Sequence, residues 1–177
     1  MKPKILFILH LPPPIHGAAM MGKYIQESEL VNSSFDCFCI NLATAGSLSD
    51  IGHISLKKLL KYFFLLKHIS NVVREIRPEL VYITPNAGGK AFFKDFIVVQ
   101  MLKSMGCKVI AHYHNKGVSV YQSKWVYNFF YKRFFSNLKV ILLAETLYKD
   151  IAKYVKREDV ISRYLFSIPI HLLYKQG

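Results

Sequence analysis

Ile5-Leu6-Phe7-Ile8-Leu9 runs apolar without a break between Lys4 and His10. A strand with one wet face alternates apolar and polar residues, whereas a strand covered on both faces has no reason to alternate. The stretch therefore predicts a central strand of a parallel sheet. After it, 10–17 contains Pro12-Pro13-Pro14 and reads as a loop, 18–30 is rich in helix formers, and 35–42 reads as a second strand. The chain thus opens as strand, loop, helix, strand.

The same alternation continues outward from that start. Over 55–76, Leu59, Phe63, Leu66, Ile69, Val73 and Ile76 recur at three- and four-residue steps, which predicts a long amphipathic helix ended by Pro78. A third strand is expected over 80–83, a helix over 92–105 closed by Gly106, a fourth strand over 108–112, a helix over 125–135, a fifth strand over 139–143 and a helix over 146–155. Strands that alternate with helices, with no internal repeat and no linker, predict an α/β fold: a doubly wound, mainly parallel sheet in a single domain.

At 177 residues the chain suits one sizeable domain better than two, and 52% hydrophobic residues allow a large core. Lys and Arg number 24 against 11 Asp and Glu, a net charge of +13 that favours an anionic partner. No acidic residue occurs between Asp95 and Glu145, whereas Lys103, Lys108, Lys116, Lys124, Lys132, Arg133 and Lys139 all fall there. Zinc-finger, RNP and helix-turn-helix patterns are absent, so no nucleic-acid partner is expected. Cys37, Cys39 and Cys107 form no CxxC pair and are expected to be buried, reduced thiols. His10 and the prolines cut short the only signal-peptide-like stretch, and no uncharged apolar run reaches the ~18–20 residues that span a bilayer. A cytoplasmic protein is expected.

In an open parallel sheet, ligands collect beyond the carboxyl ends of the strands. Three loops follow predicted strands. The first, Pro12-Pro13-Pro14-Ile15-His16-Gly17-Ala18-Ala19, is stiffened by proline, and Gly17 precedes a helix whose free N–H groups would face an anion; the alternative is a rigid turn without a ligand. The second, Thr84-Pro85-Asn86-Ala87-Gly88-Gly89-Lys90, is not a P-loop, because Thr84 stands where the first glycine belongs and Ala91 where Ser or Thr belongs. Lys94 and Asp95 follow one turn later. The third, His112-Tyr113-His114-Asn115-Lys116-Gly117, has two histidines but no nearby carboxylate or cysteine to complete a metal site, so they suit hydrogen bonding to a sugar or phosphate.

Taken together, the Pro-rich turn into His16-Gly17-Ala18-Ala19, the segment from Thr84 to Asp95, and Val109-Ile110-Ala111-His112-Tyr113-His114-Asn115 resemble the N-terminal domain of family 4 glycosyltransferases. The likeness covers residues 4–161 and is closest to bacterial enzymes of surface polysaccharide synthesis. It implies a Rossmann-like domain that is one half of a GT-B fold, binding the acceptor while a second domain binds the nucleotide sugar. It also implies that Gly17 approaches donor phosphates or acceptor and that His114 contacts the transferring sugar. The candidate substrate-binding residues are His16, Gly17, Asn86, Gly88, Lys94, Asp95, His112, His114 and Asn115. Asp-x-Asp is absent, so a metal-independent reaction is expected, with no metal and no cofactor.

The expected function is therefore the acceptor-binding half of a retaining or inverting glycosyltransferase that moves a hexose to a saccharide or lipid-linked acceptor. The nucleotide-sugar donor is engaged only with a second domain or chain. The alternative is a non-catalytic membrane-docking subunit for a separate donor-binding chain. Residues 1–161 form the expected domain, and 162–177 depart from the family's pattern, as a frameshifted or truncated ending or as a natural segment that meets a partner. An anionic membrane surface is a further expected partner. Lys57, Lys61 and His68 share one helix face flanked by Leu60 and Phe64, and the aromatic run 121–135 reads equally as an interfacial helix or as a core helix with a basic edge.

Overall fold

The computed structural model describes residues 1–13, 15, 17–42 and 56–162, the side chains of 57 and 58 excepted. Six strands, β1 (Lys4–Leu9), β2 (Asp36–Asn41), β3 (Leu80–Ile83), β4 (Val109–Tyr113), β5 (Lys139–Leu142) and β6 (Val160–Ser162), form one sheet in the order β2-β1-β3-β4-β5-β6. Every pairing is parallel. Helices α1 (Gly17–Glu27) and α2 (Glu29–Ser34) connect β1 to β2. Then α3 (Leu56–Ile76), α4 (Gly89–Ser104), α5 (Val118–Tyr121), α6 (Trp125–Phe135) and α7 (Tyr148–Ile151) lie between the later strands. This is a Rossmann-like α/β domain, as the sequence predicts. The chain moves one way from β1 to β2 and the other way from β1 to β3, so the winding reverses between β1 and β3, where such sheets place ligands.

The unbroken apolar run of β1 is used on both sides. Leu6 and Ile8 point into a large core with Ile69 and Val73 of α3, Phe92 and Val98 of α4, Tyr131 and Phe134 of α6, and Ile151 of α7. Ile5, Phe7 and Leu9 point into a smaller core with Val31 and Phe35, alongside Tyr82, Ile110 and Ile141. All five are at most 1% exposed, which is why the run carries no polar residue. The larger core is held at its centre by rings: Phe92 lies 4.6 Å from Tyr131 and 5.5 Å from Phe134, centroid to centroid.

Several expectations need correction. The helix expected over 18–30 breaks at Ser28, whose hydroxyl accepts from Val31 N and caps a second helix instead. The helix expected over 92–105 starts earlier, at Gly89, although Gly106 closes it at φ 77° as foreseen. The helix expected over 146–155 is only α7 after a 3-10 turn, because the chain tightens past Ile151, where Tyr154 N bonds back to Ile151 O at 2.8 Å. The short α5 was not foreseen. The cysteines are free thiols but not buried: Cys39 is exposed and Cys37 and Cys107 are half-buried, the first two because β2 is an edge strand. Leu59 and Phe63, read as part of the apolar stripe of the long helix, are 60% and 61% exposed. No helix among the described residues is long and apolar enough to cross a membrane.

Candidate functional site

Because all six strands are parallel, the loops after β1, β3 and β4 emerge at the same end of the sheet. Registers Ile8↔Ile83 and Ile83↔Ala111 set these carboxyl ends side by side. Along one face, the period-two pleat then aligns Tyr82 and Thr84 of the β3 segment with His112 and His114 of the β4 segment.

Those residues form a polar column. Tyr82 lies 5.7 Å from His112, and His112 lies 4.1 Å from His114, centroid to centroid. The Tyr82 hydroxyl hydrogen-bonds His112 Nδ1. Burial raises the Tyr82 phenol far above its usual range and lowers His112 to about 3, with His114 adding to the second effect. Both groups are therefore neutral near pH 7. In the tautomer that carries its proton on Nε2, His112 accepts from the Tyr82 hydroxyl at Nδ1 and has Nε2–H as a free donor; in the other, Nδ1–H donates to Tyr82 and Nε2 is a free acceptor. Burial likewise lowers His114 to about 4.

Four polar atoms of this column find no protein partner: Thr84 Oγ1, His112 Nε2 and both ring nitrogens of His114. Thr84 and His112 are each only 2% exposed. Buried polar atoms are paired in well over ~90% of cases, so these four, beside the similarly unpaired Tyr113 hydroxyl on the other face of the strand, make this end of the sheet the candidate site. Neutral imidazoles and a hydroxyl can donate to and accept from a polyhydroxylated ligand without imposing a charge.

The flanking loops are held by buried carboxylates. Asp95, 4% exposed, accepts from both Asn86 N and Asn86 Nδ2 at 2.8 Å. Burial raises its pKa to about 6 against the lowering effect of those bonds and of Lys94. Tyr131 donates to Ala87 O at 2.6 Å, and a Cβ on Gly88 would fall 2.3 Å from the Tyr121 ring. The third loop is anchored by Asp150, which accepts from the backbone N of Gly117, Val118 and Ser119 and from the Ser119 hydroxyl. Burial alone would raise the Asp150 carboxyl, but these donors hold it below its usual value.

The residues expected at the site thus separate into groups. His112 and His114 come together in the polar column. Asn86, Gly88 and Asp95 shape the adjoining loop, with Asp95 turned inward as its anchor. Asn115 is exposed at the rim, and Lys94 lies on the outer surface of α4, its carbonyl accepting from Tyr62 at 2.7 Å. Gly17 opens α1 with no atom within 4 Å of a would-be Cβ; His16 lies outside the described residues. Sequence reasoning missed Tyr82, Thr84 and Asp150. Asp150 had a signal, since Leu147, Asp150 and Ile151 fall on one helical stripe and put a carboxylate on the core side.

Among the described residues, no three His, Cys, Asp or Glu side chains come together as metal ligands. An open groove lined by Lys4, Asp36, Arg77 and Glu79 lies at the amino ends of the strands, opposite the polar column. Its charges are mixed. Comparison with protein-family models, with curated proteins and with solved structures finds no match to this chain.

Proposed function

We propose that this domain is the acceptor-binding half of a glycosyltransferase of the family 4 kind, acting on a saccharide or lipid-linked acceptor at the inner membrane face. The observation that carries the reading is the neutral column of Tyr82, His112 and His114, with Thr84 beside it, at the carboxyl end of the sheet. Sugar hydroxyls are paired donors and acceptors, and these groups offer the complement. The sequence resemblance adds the reaction class. Departure of a nucleotide diphosphate needs cationic or helix-dipole stabilisation where its charge develops, and in this reading a second domain or chain supplies it with the donor site. The exposed apolar helix surface described below favours a second reading, a non-catalytic subunit that docks a donor-binding chain at the membrane.

Calorimetry on the 177-residue chain tests the proposal. Oligosaccharide acceptors are expected to bind, His114→Ala to weaken that binding by about tenfold, roughly one lost hydrogen-bonding partner, and nucleotide sugars to give no heat. Tight donor binding, or sugar transfer by the chain alone, overturns the half-enzyme reading. In an enzyme reconstituted with a donor domain, a turnover unchanged by His114→Ala removes that residue from the site, whereas a lowered turnover separates the catalytic reading from the docking one.

A further inference from the structure

The outer face of α3 changes character along its length. At about 100° per residue, Leu56, Leu60, Phe63 and Phe64 point away from Ile69, Val73 and Ile76, which are buried beneath the same helix. The four outward side chains are between 52% and 74% exposed. One turn further on, the same outward stripe reads Lys67, Asn71 and Arg74, all polar. The apolar part covers ~12 Å of helix at ~1.5 Å per residue, then stops.

A second helix repeats the pattern. On α6, Trp125 is 80% and Phe129 48% exposed, and the outward face continues as Lys132 and Arg133, with the Arg133 guanidinium 4.8 Å from the Phe129 ring. The two helices belong to one layer, tied through α4: Tyr62 donates to Lys94 O, and Lys103 Nζ donates to Phe134 O at 2.7 Å. Each begins at the carboxyl end of the sheet and runs back along it. Both apolar patches therefore sit at the end that carries His112 and His114, and both basic segments lie nearer the other end.

We propose that this rim, the amino-terminal halves of α3 and α6, inserts into an anionic lipid surface, with Lys67, Lys132 and Arg133 at the headgroup level. The proposal deepens the membrane-face location given above by naming the surface that meets the lipid. Two aligned transitions from apolar to basic are what an interface of ~5–10 Å apolar depth requires. Charge argues against a second copy as the occupant, because no carboxylate lies between Leu56 and Arg74, and a symmetric contact would set Lys61 and Lys67 against their own kind. Anionic headgroups supply the missing countercharge.

The protein carries its own probe, since Trp125 is the single tryptophan and lies in the rim. Phosphatidylglycerol vesicles are expected to shift Trp125 emission to the blue at low salt, and brominated lipid to quench it. Added salt should weaken the effect, as screening shortens to ~8 Å near physiological strength. Phe63→Ser with Phe64→Ser should lower vesicle partitioning by about tenfold or more. These rings contact each other at 6.1 Å and are exposed, so thermal unfolding should be unchanged. Leu30→Ser, at an exposed leucine on α2, should leave partitioning unchanged. Absence of any emission change with anionic vesicles overturns the proposal, as does equal binding by the double variant. So does a blue shift that grows with protein concentration without lipid, which would assign the rim to self-association. Acceptor calorimetry in lipid-free buffer reports on the His112–His114 end separately, so either reading can fail alone.

Discussion

Alternate residues of β4 build two unlike environments a strand's thickness apart. Val109, Ala111 and Tyr113 face the helices α3, α4 and α6 and join a core crowded with aromatic rings. Ile110 and His112 face the other way, and with Tyr82, Thr84 and His114 they form a column in which several buried polar atoms lack a protein partner. The first face is filled by ring packing, and the Tyr113 hydroxyl is its unpaired buried group. The second keeps unspent hydrogen-bonding capacity at the end where the loops meet. The contrast teaches that one parallel strand can carry ring packing on one side and, in the function proposed, the recognition chemistry on the other.

If that division holds, damage to the aromatic face should cost stability without touching the column. Phe92 is fully buried and meets the rings of Phe93, Phe96, Tyr127, Tyr131 and Phe134. Phe92→Ala is expected to lower unfolding free energy by ~3–5 kcal/mol, read from urea denaturation. A loss under ~1 kcal/mol would mean that the face collapses around the cavity and is less tightly packed than described.

The covering of the polar face gives a second, smaller effect. A Cβ on Gly22 would lie 2.2 Å from His10 O, so α1 reaches the loop after β1 only because this position has no side chain. Gly22→Ala should destabilise by ~1–3 kcal/mol through forced backbone displacement. Gly17→Ala adds a methyl to open space and should stay within ~0.5 kcal/mol of the parent. Equal effects at the two glycines would show that α1 does not press on that loop.

Much of this arrangement was legible in the sequence, for identifiable reasons. A parallel strand covered on both faces must be apolar throughout, and Ile5 to Leu9 and Leu80 to Ile83 therefore stood out. Trp125–Phe135 was bounded correctly because its aromatic run is set off by polar neighbours on either side. The site was legible only as loops after strands: His112 and His114 announced themselves, but Tyr82 pairs with His112 from thirty positions away, a tertiary fact that no local pattern records. Asp95 looked like a ligand-facing acid beside Lys94, yet its chemistry is spent on Asn86. Leu59 and Phe63 failed differently. Their spacing is right for a core stripe, but periodicity says only that residues share a face, not that something covers it.

The finest test of the comparison removes the hydrogen-bonded pair without removing its volume. In Tyr82→Phe with His112→Leu, both partners of one buried bond become apolar together, so neither is left unsatisfied, and stability at pH 7 should change by less than ~1 kcal/mol. Acid should then separate variant from parent. Histidines ordinarily titrate at 6.5, but burial lowers His112 to about 3 and His114 to about 4, so below pH 6.5 the unfolded chain takes up protons that the folded one refuses. Each therefore drains stability as pH falls through that window. Asp95 acts in the opposite sense: raised from 3.8 to about 6, it is protonated in the fold while still ionised in the unfolded chain, and it gains stability as pH falls between those values. Between pH 6 and 4 the parent sets two histidines against one aspartate and should lose stability. The double variant sets His114 alone against Asp95 and should be nearly flat there. Urea midpoints measured at half-unit steps of pH decide it, and parallel slopes would mean that His112 is already charged in the folded state, which the neutral column forbids.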